Sequence, residues 1–155
     1  MGNSLEANAY YKRQNDYAKL AFEKNNLMPR RYVLILTNLC NLACWFCVQE
    51  RKKKENFMKG NEWLNVIQQI PKNSRITMTG GEPMVFKNFN EIFEKANEFC
   101  ETNIISNGLL LYNEKIEQLI KEKNFKVLAI SVDTIGNVNR DFKKGQCDFL
   151  TKQVN

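Results

Sequence analysis

Three thiols fall within eight residues, Cys40-Asn41-Leu42-Ala43-Cys44-Trp45-Phe46-Cys47, with three and then two positions between them. A chain gains at most about 3.3–3.6 Å per residue, so these sulfurs always lie close and can turn onto one metal centre. Thiolates are soft ligands that select iron–sulfur clusters, zinc or copper. A structural zinc site takes four closed ligands, and the chain has no histidine. A fourth protein ligand would therefore be Cys100, Cys147 or a carboxylate. Cys100 falls at the far end of a predicted helix, near the opposite edge, and reads as a small buried apolar residue. Cys147 sits in a weakly patterned tail. Three cysteines on a cubane cluster leave one iron with an open position. That iron can take a ligand bringing its own nitrogen and oxygen, as an amino-acid moiety does.

The elements that must hold this loop follow from the hydrophobic pattern. A helix is expected from about Ser4 to Asn25, with Leu5, Ala9, Tyr10, Tyr17, Leu20 and Ala21 among its apolar positions and Pro29 as a stop. Arg31 to Thr37 reads as a strand, apolar without helical period, as for a strand buried on both faces. The cysteine loop follows it. Asn61 is a plausible N-cap for a helix burying Trp63, Leu64, Ile67 and Ile70 until Pro71 ends it. Arg75 to Thr79 is a short strand, and Gly80-Gly81-Glu82-Pro83 a turn. A helix from about Asn88 to Cys100 buries Phe89, Ile92, Phe93, Ala96 and Phe99, and Thr102 to Ser106 forms a third strand ending at Asn107-Gly108. A third helix of the repeat, capped by Asn113, carries Ile116, Leu119 and Ile120. Phe125 to Val132 is the fourth strand, ending at Asp133, and the chain from Ile135 onward is expected to be part helix.

Strands alternating with helices make βα units, which demand a parallel sheet with right-handed crossovers. The fold class is therefore α/β. In such folds the loops at the strand C-termini build the site. Here those ends are the cysteine loop, Gly80 to Pro83, Ser106-Asn107-Gly108 and Ser131-Val132-Asp133. Taken singly, each has a plain reading. Gly80-Gly81 and Asn107-Gly108 are common turn dipeptides, Glu82 a solvated loop acid, Phe46 and Trp45 core residues, and Asp133 a helix cap. Convergence on the edge that carries the cysteines favours the functional reading.

A length of 155 residues makes one comfortable domain, short for an enzyme that must enclose cofactor and substrate. The composition, 43% hydrophobic and 26% charged, is that of a folded chain. The net charge is +6, but lysines are spread along predicted helices, and Arg51-Lys52-Lys53-Lys54 is too short for a nucleic-acid patch and reads as a solvated loop. Nucleic acid is not an expected partner. There is no membrane-length apolar run, no signal-peptide pattern and no myristoylation pattern. The expected location is the cytoplasm, where the five cysteines are not expected to form disulfides and the tight cluster of three reads as a metal or redox site.

Cys40-xxx-Cys44-x-Phe46-Cys47, with Leu36-Thr37-Asn38-Leu39 before it, resembles the signature loop of the radical S-adenosylmethionine (radical SAM) superfamily. Gly80-Gly81-Glu82-Pro83, Ser106-Asn107-Gly108 and Ser131-Val132-Asp133 resemble the family's motifs after the second, third and fourth strands. The resemblance covers about Arg31 to Arg140, and a basic-glycine segment at Lys144-Gly145 is similar to one in related proteins. It implies a partial TIM-like barrel, of which four of six expected strands are supplied, preceded by a helical extension over 1–30 and with the core over 31–155 truncated before the last strands. It implies that Cys40, Cys44 and Cys47 bind a [4Fe–4S] cluster whose fourth iron is chelated by S-adenosylmethionine. Phe46 would lie near the adenine. Gly80, Gly81 and Glu82, followed by Pro83, would meet the methionine amino group. Ser131 and Asp133 would reach the ribose or carboxylate side, and Ser106 and Asn107 would line the pocket.

The implied reaction is reductive cleavage of S-adenosylmethionine to a 5′-deoxyadenosyl radical that abstracts hydrogen from a substrate, the cofactors supplying the hard step. The motif set is most similar to the subgroup of peptide maturases, sulfatase activators and molybdopterin-precursor enzymes. The implied partners are an external electron donor such as a flavodoxin or ferredoxin and a peptide or small-molecule substrate. Two other readings stay open: a non-catalytic iron–sulfur or zinc-binding module, and an inactive remnant.

Overall fold

Short β-branched and aliphatic runs separated by amphipathic segments fold here as alternating strands and helices. The computed structural model describes residues 4–24, 28–49, 58–111, 114, 118, 121–122 and 124–132. The elements are α1 (Ser4–Lys24), β1 (Arg31–Ile35), α2 (Gly60–Gln69), β2 (Arg75–Thr79), a 3-10 turn (Pro83–Val85), α3 (Phe89–Asn97), β3 (Glu101–Ser106) and β4 (Phe125–Ile130). The chain divides into two compact units, Met1–Arg30 and Arg31–Asn155.

In the first unit, the Tyr17 hydroxyl donates to the Met28 carbonyl at 3.1 Å. The Arg30 guanidinium sits 4.7 Å above the Tyr17 ring, a cation–π contact. In the second, the strands form one parallel sheet in the order β1-β2-β3-β4. Sequential strands are thus neighbours, as a right-twisted chain with helical crossovers favours.

The register places Leu34 beside Met78 and Met78 beside Ile104, so one face of the sheet is a continuous apolar surface. Trp63 and Ile67 of α2 and Ile92, Phe93 and Ala96 of α3 pack with these side chains in one buried cluster. Phe93 is fully buried. Its ring stacks on Phe89 with centroids 5.7 Å apart and meets Phe125 edge-on at 5.6 Å.

Several boundaries differ from expectation, each for a physical reason. β1 is not buried on both faces: Val33 and Ile35 are 51% and 57% exposed, because β1 is an edge strand and its odd positions point away from α2 and α3. It ends at Ile35, although the Leu36 amide still donates to the Thr79 carbonyl at 3.0 Å. The cap of α2 is Lys59 rather than Asn61. Its backbone N–H donates to the Glu62 carboxylate at 2.5 Å, which is half of a capping box delivered from inside the helix. The Asn88 side chain at the start of α3 donates to Glu91 at 3.1 Å instead of capping. That helix stops at Asn97, short of Cys100. β3 begins one residue early, at Glu101, and β4 ends at Ile130, short of Val132. Pro83 opens a 3-10 turn, its missing N–H needing no partner there. The third helix of the repeat is described only at Glu114 and Gln118, both helical. Its cap Asn113 and apolar Ile116, Leu119 and Ile120 lie outside the described residues, as do Arg51–Lys54, Asp133, the stretch from Ile135 and Cys147.

Candidate functional site

The C-terminal ends of the four strands surround a cleft of about 340 Å³, inside the range of small-molecule sites, roughly 300–1,000 Å³. Cys40, Cys44 and Cys47 line it, together with Phe46. Gly80 and Gly81 arrive from β2, Ser106 and Asn107 from β3, and Ser131 from β4. The structure therefore brings nine of the sequence-predicted site residues to one cleft. Glu82 and Pro83 do not line it, and both are buried. Trp45 and Phe46 are not core residues: they are 80% and 40% exposed, with rings edge-on at 5.6 Å.

The cysteine loop is fixed at its root by local bonds. Thr37 is buried, and its hydroxyl accepts from the Leu39 amide at 3.0 Å. The Cys47 amide donates to the Cys44 carbonyl at 3.2 Å, closing the turn at the tip. Leu42 reaches into a small apolar cluster with Leu109, against which Cys40, Cys44 and Ile130 pack.

Gly80 and Gly81 weld the second loop to the first. The Gly81 amide donates to the Thr37 carbonyl at 2.7 Å, and the Glu82 amide to the Leu39 carbonyl at 2.8 Å. A Cβ on Gly80 would stand 2.2 Å from the Thr37 carbonyl oxygen, and one on Gly81 2.3 Å from that of Leu39. Gly80 also holds φ at +151°, which side-chain-bearing residues avoid. The close approach requiring these glycines is therefore to the cysteine loop's own backbone, in addition to whatever the cleft accepts.

Glu82 turns away from the cleft and is wholly buried. Its carboxyl accepts from the Ser106 hydroxyl at 3.0 and 3.2 Å, the Asn107 amide at 2.8 Å and the Met84 amide at 3.3 Å. It is a strut between the second and third loops. Asn107 continues the connection: its side-chain nitrogen donates to Oδ1 of the Asn41 side chain at 2.7 Å and lies 3.8 Å from the Cys40 sulfur. Ser131 is held by its amide, which donates to the Ser106 carbonyl at 2.8 Å. Asn41 was not singled out by spacing. Its only signal is position, the polar residue directly after the first cysteine.

Among the described residues no group of three or more His, Cys, Asp or Glu side chains comes together as a ligand set for one metal ion. Cys100 is no fourth ligand. It precedes β3 at the opposite end of the strands, is 1% exposed, and its thiol points at the Pro71 carbonyl at 3.8 Å. Burial pushes this thiol's pKa up from its ordinary 9.0, against a smaller lowering by the hydrogen bond with the Ser74 backbone, so it resists becoming a thiolate. At Cys40 the Leu42 backbone amide donates to the sulfur at 3.4 Å, and the Asn107 side-chain nitrogen lies 3.8 Å from it.

A four-stranded parallel α/β sheet with three thiols on its C-terminal edge is the fold of a partial TIM-like barrel. SuiB of Streptococcus suis, solved bound to S-adenosylmethionine, superposes with a TM-score of 0.68 at 22% identity, covering 94% of this chain and 36% of SuiB. SuiB bound to its precursor peptide SuiA gives 0.67. The chain belongs to the radical SAM superfamily, whose family model matches residues 34–149. The sporulation killing factor maturation protein SkfB of Bacillus subtilis is 34% identical over 119 residues, 74% of this chain and 29% of SkfB. A probable GTP 3′,8-cyclase of Methanococcus maripaludis is 31% identical over 116 residues, 68% of this chain and 37% of that protein. The chain thus spans about a third of the length of these relatives. Membership implies S-adenosylmethionine and an iron–sulfur cluster as cofactors. No helix among the described residues is long and apolar enough to cross a membrane.

Proposed function

We propose that this chain carries the cluster- and cofactor-binding part of a radical SAM enzyme acting on a peptide. The observation that carries the reading is the convergence of all four strand ends, with three thiols, on one cleft. Cys40, Cys44 and Cys47 would hold a [4Fe–4S] cluster, and S-adenosylmethionine would bind beside it through its amino and carboxylate groups. When bound, these cofactors supply one-electron cleavage of the sulfonium and abstraction of hydrogen from the substrate. Phe46 packs beside the adenine. Gly80 and Gly81 offer backbone groups to the methionine end, while Ser106, Asn107 and Ser131 line the wall. Asp133, outside the described residues, serves the ribose or carboxylate side. Glu82 positions the third loop through Ser106 and Asn107 and stands with Gly80 and Gly81 at the methionine amino group.

Peptide as substrate class is supported by the maturation role in the name of SkfB and by the SuiB complex with a precursor peptide. The electron comes from an external donor such as a flavodoxin or ferredoxin, and the enzyme works in the cytoplasm. Anaerobic reconstitution with iron and sulfide tests the reading. The expected result is a [4Fe–4S] spectrum that changes on adding S-adenosylmethionine, with methionine released under reductant. A stoichiometric zinc protein, a cluster indifferent to S-adenosylmethionine, or a spectrum unaltered by Cys44→Ala overturns it.

A further inference from the structure

We propose that Asn107 is a positioning residue for one particular cluster ligand, donating its side-chain N–H to the Cys40 sulfur and so raising the reduction potential of the cluster held there. The inference rests on the reading that Cys40 ligates an iron–sulfur cluster.

Asn107 is fixed at three atoms. Its backbone N–H donates to the wholly buried Glu82 carboxyl at 2.8 Å. Its side-chain oxygen accepts from the Leu109 amide at 3.0 Å. That bond determines which end of the side chain is oxygen, so the nitrogen must face the cysteine loop. There it donates to Asn41 at 2.7 Å and lies 3.8 Å from the Cys40 sulfur. A primary amide nitrogen carries two hydrogens, one for each partner, so the contact with sulfur does not compete with the bond to Asn41.

The state of Cys40 sets the strength of this contact. As a thiol, Cys40 directs its S–H at Asn41, 3.8 Å away. On ligation that proton leaves and the sulfur becomes only an acceptor, facing two N–H groups, Leu42 at 3.4 Å and Asn107 at 3.8 Å. Hydrogen bonds to an anionic acceptor are the stronger kind. Reduction of a cluster adds negative charge that its sulfurs share, so N–H donors stabilise the reduced form more and lift the potential. The geometry gives Asn107 a task at the ligand sulfur, distinct from lining the cofactor cleft.

The test uses the full chain, reconstituted anaerobically, with the midpoint potential read by EPR-monitored redox titration and the iron–thiolate stretches by resonance Raman. Asn107→Leu and the equal-sized Asn107→Asp are expected to shift the potential to more negative values and to change the stretch of one iron–sulfur bond. Asn41→Ala, which frees the amide nitrogen for sulfur alone, is expected to leave the potential where it was or raise it. With asparagine labelled at its side-chain nitrogen with 15N, the reduced wild-type cluster should show a nitrogen hyperfine coupling that persists in Asn41→Ala. That measurement decides the matter if both Asn107 variants fail to load. Loaded variants with wild-type potential and stretches, or no coupling in the labelled protein, overturn the inference and leave the functional reading intact. No cluster in the wild-type chain overturns the reading itself.

Discussion

Glu82 is a carboxyl placed where water does not reach, with donors from Met84, Ser106 and Asn107 converging on it. Removing such an acceptor leaves buried donors without partners, each costing about 1–3 kcal/mol. Glu82→Ala is therefore expected to destabilise the fold by about 3 kcal/mol or more, measured by urea denaturation. Gly81→Ala meets backbone carbonyl oxygens at 2.3 and 2.6 Å. It should cost about 2 kcal/mol or more, since the obstruction is main chain and cannot rotate away, and the same urea titration reads it. At this scale the cysteine loop was legible because spacing alone bounds the distance between sulfurs. The inward turn of Glu82 was not: an acid before a proline carries no information on which way its side chain points. The clue available was an acid and a hydroxyl, Glu82 and Ser106, at the ends of neighbouring strands.

Among the elements, α3 shows how a helix positions the site without touching it. Phe93 on its buried face meets Phe89 and Phe125 and fixes the helix against β3 and β4. Phe93→Ala is expected to cost about 3–5 kcal/mol, read from the urea midpoint. A flattening of the near-UV circular dichroism should accompany it. Strand and helix identities were legible from apolar runs and helical spacing, and their order was enough to give a parallel sheet. Boundaries were less so. Glu62 caps α2 from within, a bond invisible to a search for a capping side chain at the first position. The exposed odd face of β1 escaped notice because Tyr32 to Leu36 is apolar throughout, so nothing in its pattern distinguishes an edge strand from a central one.

The whole molecule separates its tasks between the two ends of the sheet. The C-terminal edge carries the cleft, while the N-terminal edge, with Cys100 against Pro71, is packed for stability. Lesions should sort accordingly. Cys40→Ala is expected to abolish cluster loading with unfolding free energy within about 1 kcal/mol of wild type, because its side chain is only partly buried. Cys100→Ala should load normally and lose about 1–2 kcal/mol, by analogy with small core deletions. The same thiol gives global stability a pH dependence. Its pKa is raised in the fold, so the unfolded chain loses the proton first. Stability is fully present below about pH 9 and falls as pH rises through the folded pKa. The decline in urea midpoint between pH 8 and 10.5 should be shallower in Cys100→Ala.

Two of the joints between neighbouring loops differ in what they demand of heredity. The joint between the first and second is main chain to main chain, through the Gly81 and Glu82 amides. It is indifferent to every side chain nearby yet admits nothing larger than a hydrogen at two positions. The joint between the second and third is made by one side chain, Glu82, and depends on its oxygens. A random substitution at Gly80 or Gly81 therefore fails by bulk and one at Glu82 by chemistry.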